Sequence, residues 1–339
     1  MQTKFKYKKG ITHGGSAFHS DDVFATALCK YFAEKEGIIF ETTRQNNVSE
    51  EELNDPDIII YDIGKLYSPE LGVFDHHQSD TPTREDGQRY SACGLVLREF
   101  GKQYFSEKEF QNIEKITTLI DYHDNGKLIL GEDNPEEFYE FSVFSPTWNE
   151  DSELQHKYFN QAVETALKVI KLEVNLANDI RNPDLEYEIN KELLTRDKIQ
   201  KDALAAAEKV AIDSLKTLNN GIVTLDKFVP VKDFYADSEF LKENNVKDIY
   251  FIIYSGDRDP YSMQLVPKEP KVFELKIPDG FNIALDKDEN GKHVLPEEII
   301  FIHSTGFFAA CETYEAAVDL ANKTLEKHLE NISTDELEK

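Results

Sequence analysis

Four short segments in the first 125 residues carry the side chains best suited to hold divalent cations and move protons. The first, Thr12-His13-Gly14-Gly15-Ser16-Ala17-Phe18-His19-Ser20-Asp21-Asp22, combines two imidazoles and two carboxylates with glycines that let the backbone fold tightly. His19 and Asp21 converge if the chain there is extended, and Asp22 is also suited to cap a following helix. The second, Ile58 to Gly64, ends an apolar run in the carboxylate of Asp62, which also fits a plain turn after a strand. The third, Phe74-Asp75-His76-His77-Gln78, is unusual in a chain with nine histidines. The fourth, Leu119 to Gly126, closes a helical pattern with Asp121, His123 and Asp124. Each segment alone is ordinary. Together they place about six or seven oxygen and nitrogen ligands after apolar stretches of one domain, a set that suits two Mn²⁺ or Mg²⁺ ions rather than a thiolate-preferring metal. Two such ions about 3.5–4 Å apart stabilise both the attacking and the leaving oxygen of phosphoryl transfer. Without cations, so many buried carboxylates would repel one another and lose hydration.

The elements that must position these groups follow from pattern. Residues 1–142 alternate short β-rich runs (Lys6–Thr12, Ile38–Thr43, Asp57–Tyr61, Gly72–Phe74) with helical stretches (Asp21–Lys35, Cys93–Tyr104, Glu107–Tyr122). Such alternation predicts an α/β domain with a mostly parallel sheet, whose crevice beyond the strand C-termini is where ligands bind. Residues 143–218 read as a helical connector, Leu154–Ile180 and Leu185–Leu218, broken at Asn182-Pro183. Strands return at Ile222–Leu225, Asp248–Tyr254, Tyr261–Val266 and Ile299–His303. A helix over Tyr314–Leu329 then completes a smaller α+β domain, 219–332. Residues 333–339 are expected to form a flexible tail.

Composition narrows the partners. With 65 acidic residues against 38 basic ones, a net charge of −27, the chain lacks the basic stripe that a long duplex requires. A short oligonucleotide or small phosphate ester needs only a few local cations. No apolar run approaches the roughly 20 residues of a membrane helix, and the lysine-rich Met1–Gly10 has no apolar stretch after it to make a secretory signal. Cys29, Cys93 and Cys311 are scattered and odd in number, which predicts small buried side chains in a reducing, cytoplasmic setting. Ser91 and Cys93 invite a nucleophile reading, but the sequence assigns neither of them a base. Whether the chain forms an oligomer is left open.

The combined motifs resemble the DHH phosphoesterase superfamily, and within it the melanocyte-proliferating-gene (Myg-type) family of DHH-like hydrolases, some of which are described as RNA exonucleases. The landmarks are Thr12-His13-Gly14, Phe18-His19-Ser20-Asp21, Asp75-His76-His77-Gln78, Ser91-Ala92-Cys93-Gly94-Leu95 and Asp124-Asn125-Gly126. Further on come Pro146-Thr147-Trp148-Asn149, Gln264-Leu265-Val266-Pro267 and Ile302-His303-Ser304-Thr305-Gly306-Phe307. The resemblance implies that His13 and His19 hold one ion and Asp21 the second, that Asp62 bridges both, and that His76 and Asp124 complete the second site. Asp121 is the alternative to Asp124. It further implies that His77 faces the scissile phosphate and that Asp75 orients a histidine. His303, Ser304, Gly306 and Ser91 would then touch substrate. The sequence departs from better-known DHH enzymes at His19, where they carry an aspartate, and at Ala309-Ala310, where glycines are expected.

The reading is therefore a two-domain metal-dependent phosphoesterase, expected to act as a 3′–5′ exonuclease on short single-stranded RNA or nucleotide-like phosphodiesters through a hydroxide activated by two metal ions. A phosphoanhydride hydrolase acting on pyrophosphate or a dinucleotide is the first alternative. A non-catalytic metal- or nucleotide-binding regulator is the second.

Overall fold

The structure, a computed structural model, describes residues 4–15, 17–78, 81–125, 139–256, 259–268, 297–302 and 306–337. It divides into two compact units, 1–200 and 201–339, and the boundary falls inside a long helix.

The first unit runs β1 (Lys9–His13), α1 (Ser20–Glu36), β2 (Glu41–Gln45), α2 (Glu50–Leu53), β3 (Ile58–Tyr61), β4 (Tyr67–Ser68), β5 (Val73–Phe74), α3 (Ala92–Tyr104), α4 (Glu107–Asp124) and α5 (Gln155–Ala177), and enters α6 (Pro183–Ser214). Its sheet has the order β2-β1-β3-β5-β4, parallel except where β4 meets β5. β3 is buried along its whole length, which is why its sequence is a continuous Ile-Ile-Ile-Tyr run rather than an alternation. α1 is apolar on most of its surface for the same reason: it packs on α3 and α5 as well as the sheet side.

The core of this unit centres on an aromatic cluster. Phe100 of α3 lies edge-on to Phe5 at 5.4 Å between ring centres and to Tyr7 at 6.1 Å, with Phe74 of β5 at 5.8 Å. α5, expected within a connector, instead buries Phe159, Ala162, Val163, Ala166, Val169 and Ile170 in the same core. Phe159 meets Phe18 edge-on at 5.4 Å. The apolar stripe of α5 is legible in the sequence, but its partner surface on α1 is set by long-range packing that periodicity does not report. The buried Arg196 of α6 ties that helix to the same unit by donating to the carbonyls of Val143, Phe144 and Ser145.

The second unit contains β6 (Ile222–Leu225), α7 (Lys232–Ala236), α8 (Ser238–Glu243), β7 (Phe251–Tyr254), β8 (Tyr261–Leu265), β9 (Ile299–Ile302), β10 (Phe308–Cys311) and α9 (Tyr314–Leu337). Its sheet order is β6-β7-β8-β10-β9, with only β6 and β7 parallel. β10 was not expected. Its Phe-Ala-Ala-Cys sequence shows no alternation because both faces are covered: Ala309 and Cys311 pack in the core with α9, and Ala310 is buried on the opposite face. α9 continues to Leu337, past the point where a flexible tail was expected, since no glycine or proline stops it. Among the described residues no helix is long and apolar enough to cross a membrane.

Phe100→Ala should lower the stability of the first unit by about 3–5 kcal/mol, measured by denaturant unfolding. A loss below about 1 kcal/mol would contradict the central packing of this ring.

Candidate metal centre

The C-terminal ends of β1, β3 and β5 lie side by side, and each delivers a chemical group. His13 ends β1, Asp62 follows β3, and Asp75-His76-His77 follows β5. The N-terminus of α1 adds His19, Asp21 and Asp22, and the C-terminus of α4 adds Asp124. This is the crevice of an open parallel sheet, where backbone and helix ends point polar groups outward without disturbing the core.

Ligand atoms converge there in three groups, each within 4.8 Å: His13 with His19 and Asp62, Asp62 with His76 and His77, and His19 with Asp21 and Asp124. Asp62 belongs to two of them. Its Oδ2 lies 3.1 Å from His13 Nδ1 and its Oδ1 3.3 Å from His76 Nε2. The same His76 nitrogen stands 3.4 Å from Asp124 and 3.7 Å from Asp21. Asp62 adopts φ +60°, a left-handed conformation that costs an L-residue about 1–2 kcal/mol and that here follows directly on β3.

The electrostatics are those of a site made for cations. Asp21, Asp22 and Asp62 are all buried. Burial and the neighbouring carboxylates of Asp124, Asp62 and Asp22 push the Asp21 carboxyl well above its ordinary range. Burial acts on Asp62 in the same sense, but the imidazoles of His13 and His76 outweigh it and hold that carboxyl well below its ordinary value. Burial would lower His13, yet Asp22 and Asp62 raise it to about 10. Asp21 Oδ1, Asp22 Oδ2 and His13 Nδ1 are buried without an aligned hydrogen-bond partner, although His13 Nδ1 is only 3.2 Å from Asp22 Oδ2. Buried oxygen and nitrogen atoms left in this state, all of a hard or borderline donor type, fit divalent cations of the Mn²⁺ or Mg²⁺ class.

Asp75 does not face these ligand groups. Its carboxylate accepts the backbone N–H of Lys65, His76 and His77 and stands 2.7 Å from His77 Nδ1. The contact with Asp75 raises the His77 imidazole, whose side chain is 60% exposed and so open to a substrate. Of the two aspartates left open at the end of α4, Asp124 reaches the centre. Asp121 turns inward, accepts from Ser91 N and Oγ at 2.9 and 2.7 Å, and pairs with Arg84 at 2.6 Å. Burial still raises its carboxyl to about 6. A Cβ at Gly94 would lie 2.5 Å from Asp121 Oδ1, so only glycine lets α3 approach this carboxylate.

Ser91 requires a correction. It was expected at the substrate, but it is fully buried, starts α3, and donates its hydroxyl to Asp121. Its consequence is indirect, because the start of α3 presents the N–H of Ala92 to Asp21 at 3.3 Å. Gly306 lies in the second unit with φ +73°, while His303 and Ser304 fall outside the described residues.

Of two further contributors, one reads two ways in the sequence and the other not at all. Asp22 suits a helix cap there. His19 is the cap instead, and Asp22 accepts its N–H at 3.1 Å while facing His13. Glu140 carries no signal at all. It accepts from Ser20 Oγ at 2.7 Å and lies 3.3 Å from His123 Nε2, joining the neighbours of Asp21 and Asp124 across 120 residues of chain.

Comparison with known proteins gives this arrangement a family. The family described as Uncharacterised protein family (UPF0160), whose name is MYG1 exonuclease, matches residues 9–325. The chain belongs to that family. It is 26% identical over 347 residues to the MYG1 exonuclease of Mus musculus, covering 93% of this chain and 84% of that protein. It is likewise 26% identical to the MYG1 protein of Dictyostelium discoideum over 341 residues, 93% and 95% of the two chains. Among solved structures, RecJ of Thermus thermophilus in complex with Mn²⁺ matches at 12% identity and a TM-score of 0.44, covering 95% of this chain. This member of the MYG1 family spans about half the length of that structure, 52%.

Asp124→Asn and Asp121→Asn should separate cleanly. Asp124→Asn should weaken Mn²⁺ binding at least about tenfold in a calorimetric titration while leaving unfolding in chelator almost unchanged. Asp121→Asn should cost about 3–5 kcal/mol of stability by leaving the largely buried Arg84 with only its longer, 3.8 Å ion pair to Glu114. The opposite pattern would exchange their roles.

Proposed function

We propose that the chain is a metal-dependent phosphoesterase, a 3′–5′ exonuclease acting on short single-stranded RNA or nucleotide-like phosphodiesters. The observation that carries this is Asp62, shared between two groups of oxygen and nitrogen ligands at the mouth of a parallel sheet. His13 and His19 would hold one cation with Asp62, and Asp21, His76 and Asp124 the second, with Asp62 common to both. Two divalent cations, Mn²⁺ or Mg²⁺, would supply the positive charge that stabilises the attacking and leaving oxygens of an in-line displacement at phosphorus.

The chain's own residues then divide the remaining work. His77 reaches out of the centre with its Nδ1 fixed by Asp75, so its other ring nitrogen is free to give a proton to the departing oxygen. Asp75, held by three backbone N–H groups, keeps that ring in one orientation and favours its protonated form. The names of the family's curated members support exonuclease chemistry. The free, buried cysteines support a reducing, cytoplasmic setting. The net charge of −27 favours a small substrate, so hydrolysis of a phosphoanhydride such as pyrophosphate or a dinucleotide is the second reading.

With Mn²⁺ present, wild type should release mononucleotides from end-labelled short RNA, and Asp62→Asn or added chelator should abolish the release. Asp75→Asn should retain the metals and slow turnover about 10–100-fold. Inert RNA together with turnover of pyrophosphate would replace the first reading with the second.

A further inference from the structure

The metal centre uses the ends of β1, β3 and β5 and leaves the end of β2 without a task. β2 is an edge strand, and its Arg44 and Gln45 pair with Thr12 and His13 of β1. A cavity of about 310 Å³ opens beside them, lined by Gly14, Gly15, Arg44, Glu153, Gln155 and His156 among others. That is the lower end of the roughly 300–1,000 Å³ typical of small-molecule pockets. Gly14 follows His13 directly, so the cavity and the metal centre share one loop. A side chain at Gly14 would collide with Gln45 and Asn46, its Cβ falling 2.7 Å from Asn46 Oδ1.

Arg44 is the telling residue. Its Nη2 donates to the carbonyls of Gly15 and Ala17, both at 3.1 Å, and its guanidinium lies over the rings of Phe18 and Phe159. The side chain is therefore held in one place. Its Nε is buried without a hydrogen-bond partner, and among the described residues no carboxylate forms an ion pair with it. The acidic groups that act on it, Asp22 and Asp62, belong to the metal centre and do so without an ion pair, so the immobilised guanidinium is available to an anion entering the cavity beside them. Guanidinium matches phosphate in shape and charge. The cavity lining also offers an acceptor in the exposed Glu153 and amide and imidazole groups in Gln155 and His156, which suit sugar hydroxyls.

We infer that this cavity is the subsite for the ribose-phosphate unit adjoining the bond to be cleaved, with Arg44 on its phosphate and the Glu153–His156 wall on its sugar. The inference rests on the phosphodiesterase reading of the metal centre and deepens it. A 2′-hydroxyl within reach of Glu153 would make the subsite prefer RNA to DNA.

The test uses the full-length protein and a 5′-phosphorylated RNA dinucleotide with a phosphorothioate linkage, which resists hydrolysis, alongside its DNA counterpart. Binding is read by calorimetry, and Mn²⁺ affinity is titrated separately for every variant. Arg44→Ala should weaken dinucleotide binding about tenfold or more, Arg44→Lys by less, and Glu153→Ala should narrow the difference between RNA and DNA. Mn²⁺ affinity should hold in Arg44→Lys and Glu153→Ala. The inference is overturned if wild type does not bind the dinucleotide, or if Arg44→Lys and Glu153→Ala bind it as wild type does. It is also overturned if the Arg44 variants lose Mn²⁺ and dinucleotide in parallel while Glu153→Ala and His156→Ala lose neither, for Arg44 would then only brace the His13–His19 loop. Arg44-dependent binding by a protein that hydrolyses no phosphodiester would sink the catalytic reading and leave the subsite standing.

Discussion

The repulsion among the carboxylates of Asp21, Asp22, Asp62 and Asp124 governs the first unit. The first three are almost inaccessible to water. Two like charges about 4 Å apart repel by about 4 kcal/mol at an effective dielectric of 20, so such a cluster cannot stand without opposing charge. His13 and His76 supply enough to keep Asp62 ionised, but Asp21 remains shifted toward its neutral form. Divalent cations held by these groups would complete the balance that the imidazoles begin. The N-terminal N–H of α3 adds a smaller contribution at Asp21, in the direction the helix dipole requires.

Holding such groups in register demands a scaffold whose own polar contacts are settled elsewhere. Asp121 fixes the start of α3 through Ser91, and Arg84 neutralises it. Asp75 fixes His77, and Glu140 joins the start of α1 to the end of α4. None of these three carboxylates belongs to a ligand group, yet each sets the place of a residue that faces or adjoins one. Beneath them the aromatic cluster around Phe100 and the packing of α5 on α1 give the strand ends a rigid base, and precision at the centre depends on that rigidity.

Much of this is written locally in the chain. Ile58 to Asp62 reads as a buried strand ending in a carboxylate, and Asp75-His76-His77 is rare enough in composition to stand out. His13, His19, Asp21 and Asp124 lie at the junctions of strand and helix patterns, which is why their convergence follows from the α/β alternation. What escapes is decided across long distances. Ser91 looks like a polar residue available to substrate, but its burial depends on Asp121, thirty positions away in sequence and identifiable only from the fold. Glu140 and Asp22 sit in segments where a carboxylate has many ordinary uses. The apolar face of α5 is visible, while its docking on α1 is not, because an amphipathic stripe says that something is covered without naming what covers it.

Diffraction from crystals grown with Mn²⁺, recorded at wavelengths on either side of the manganese absorption edge, tests the central claim most directly. The account predicts two anomalous peaks in the first unit, both in contact with the carboxylate of Asp62, one also with His13 and the other with His76. No peak at this position, or a single peak out of reach of Asp62, would contradict it.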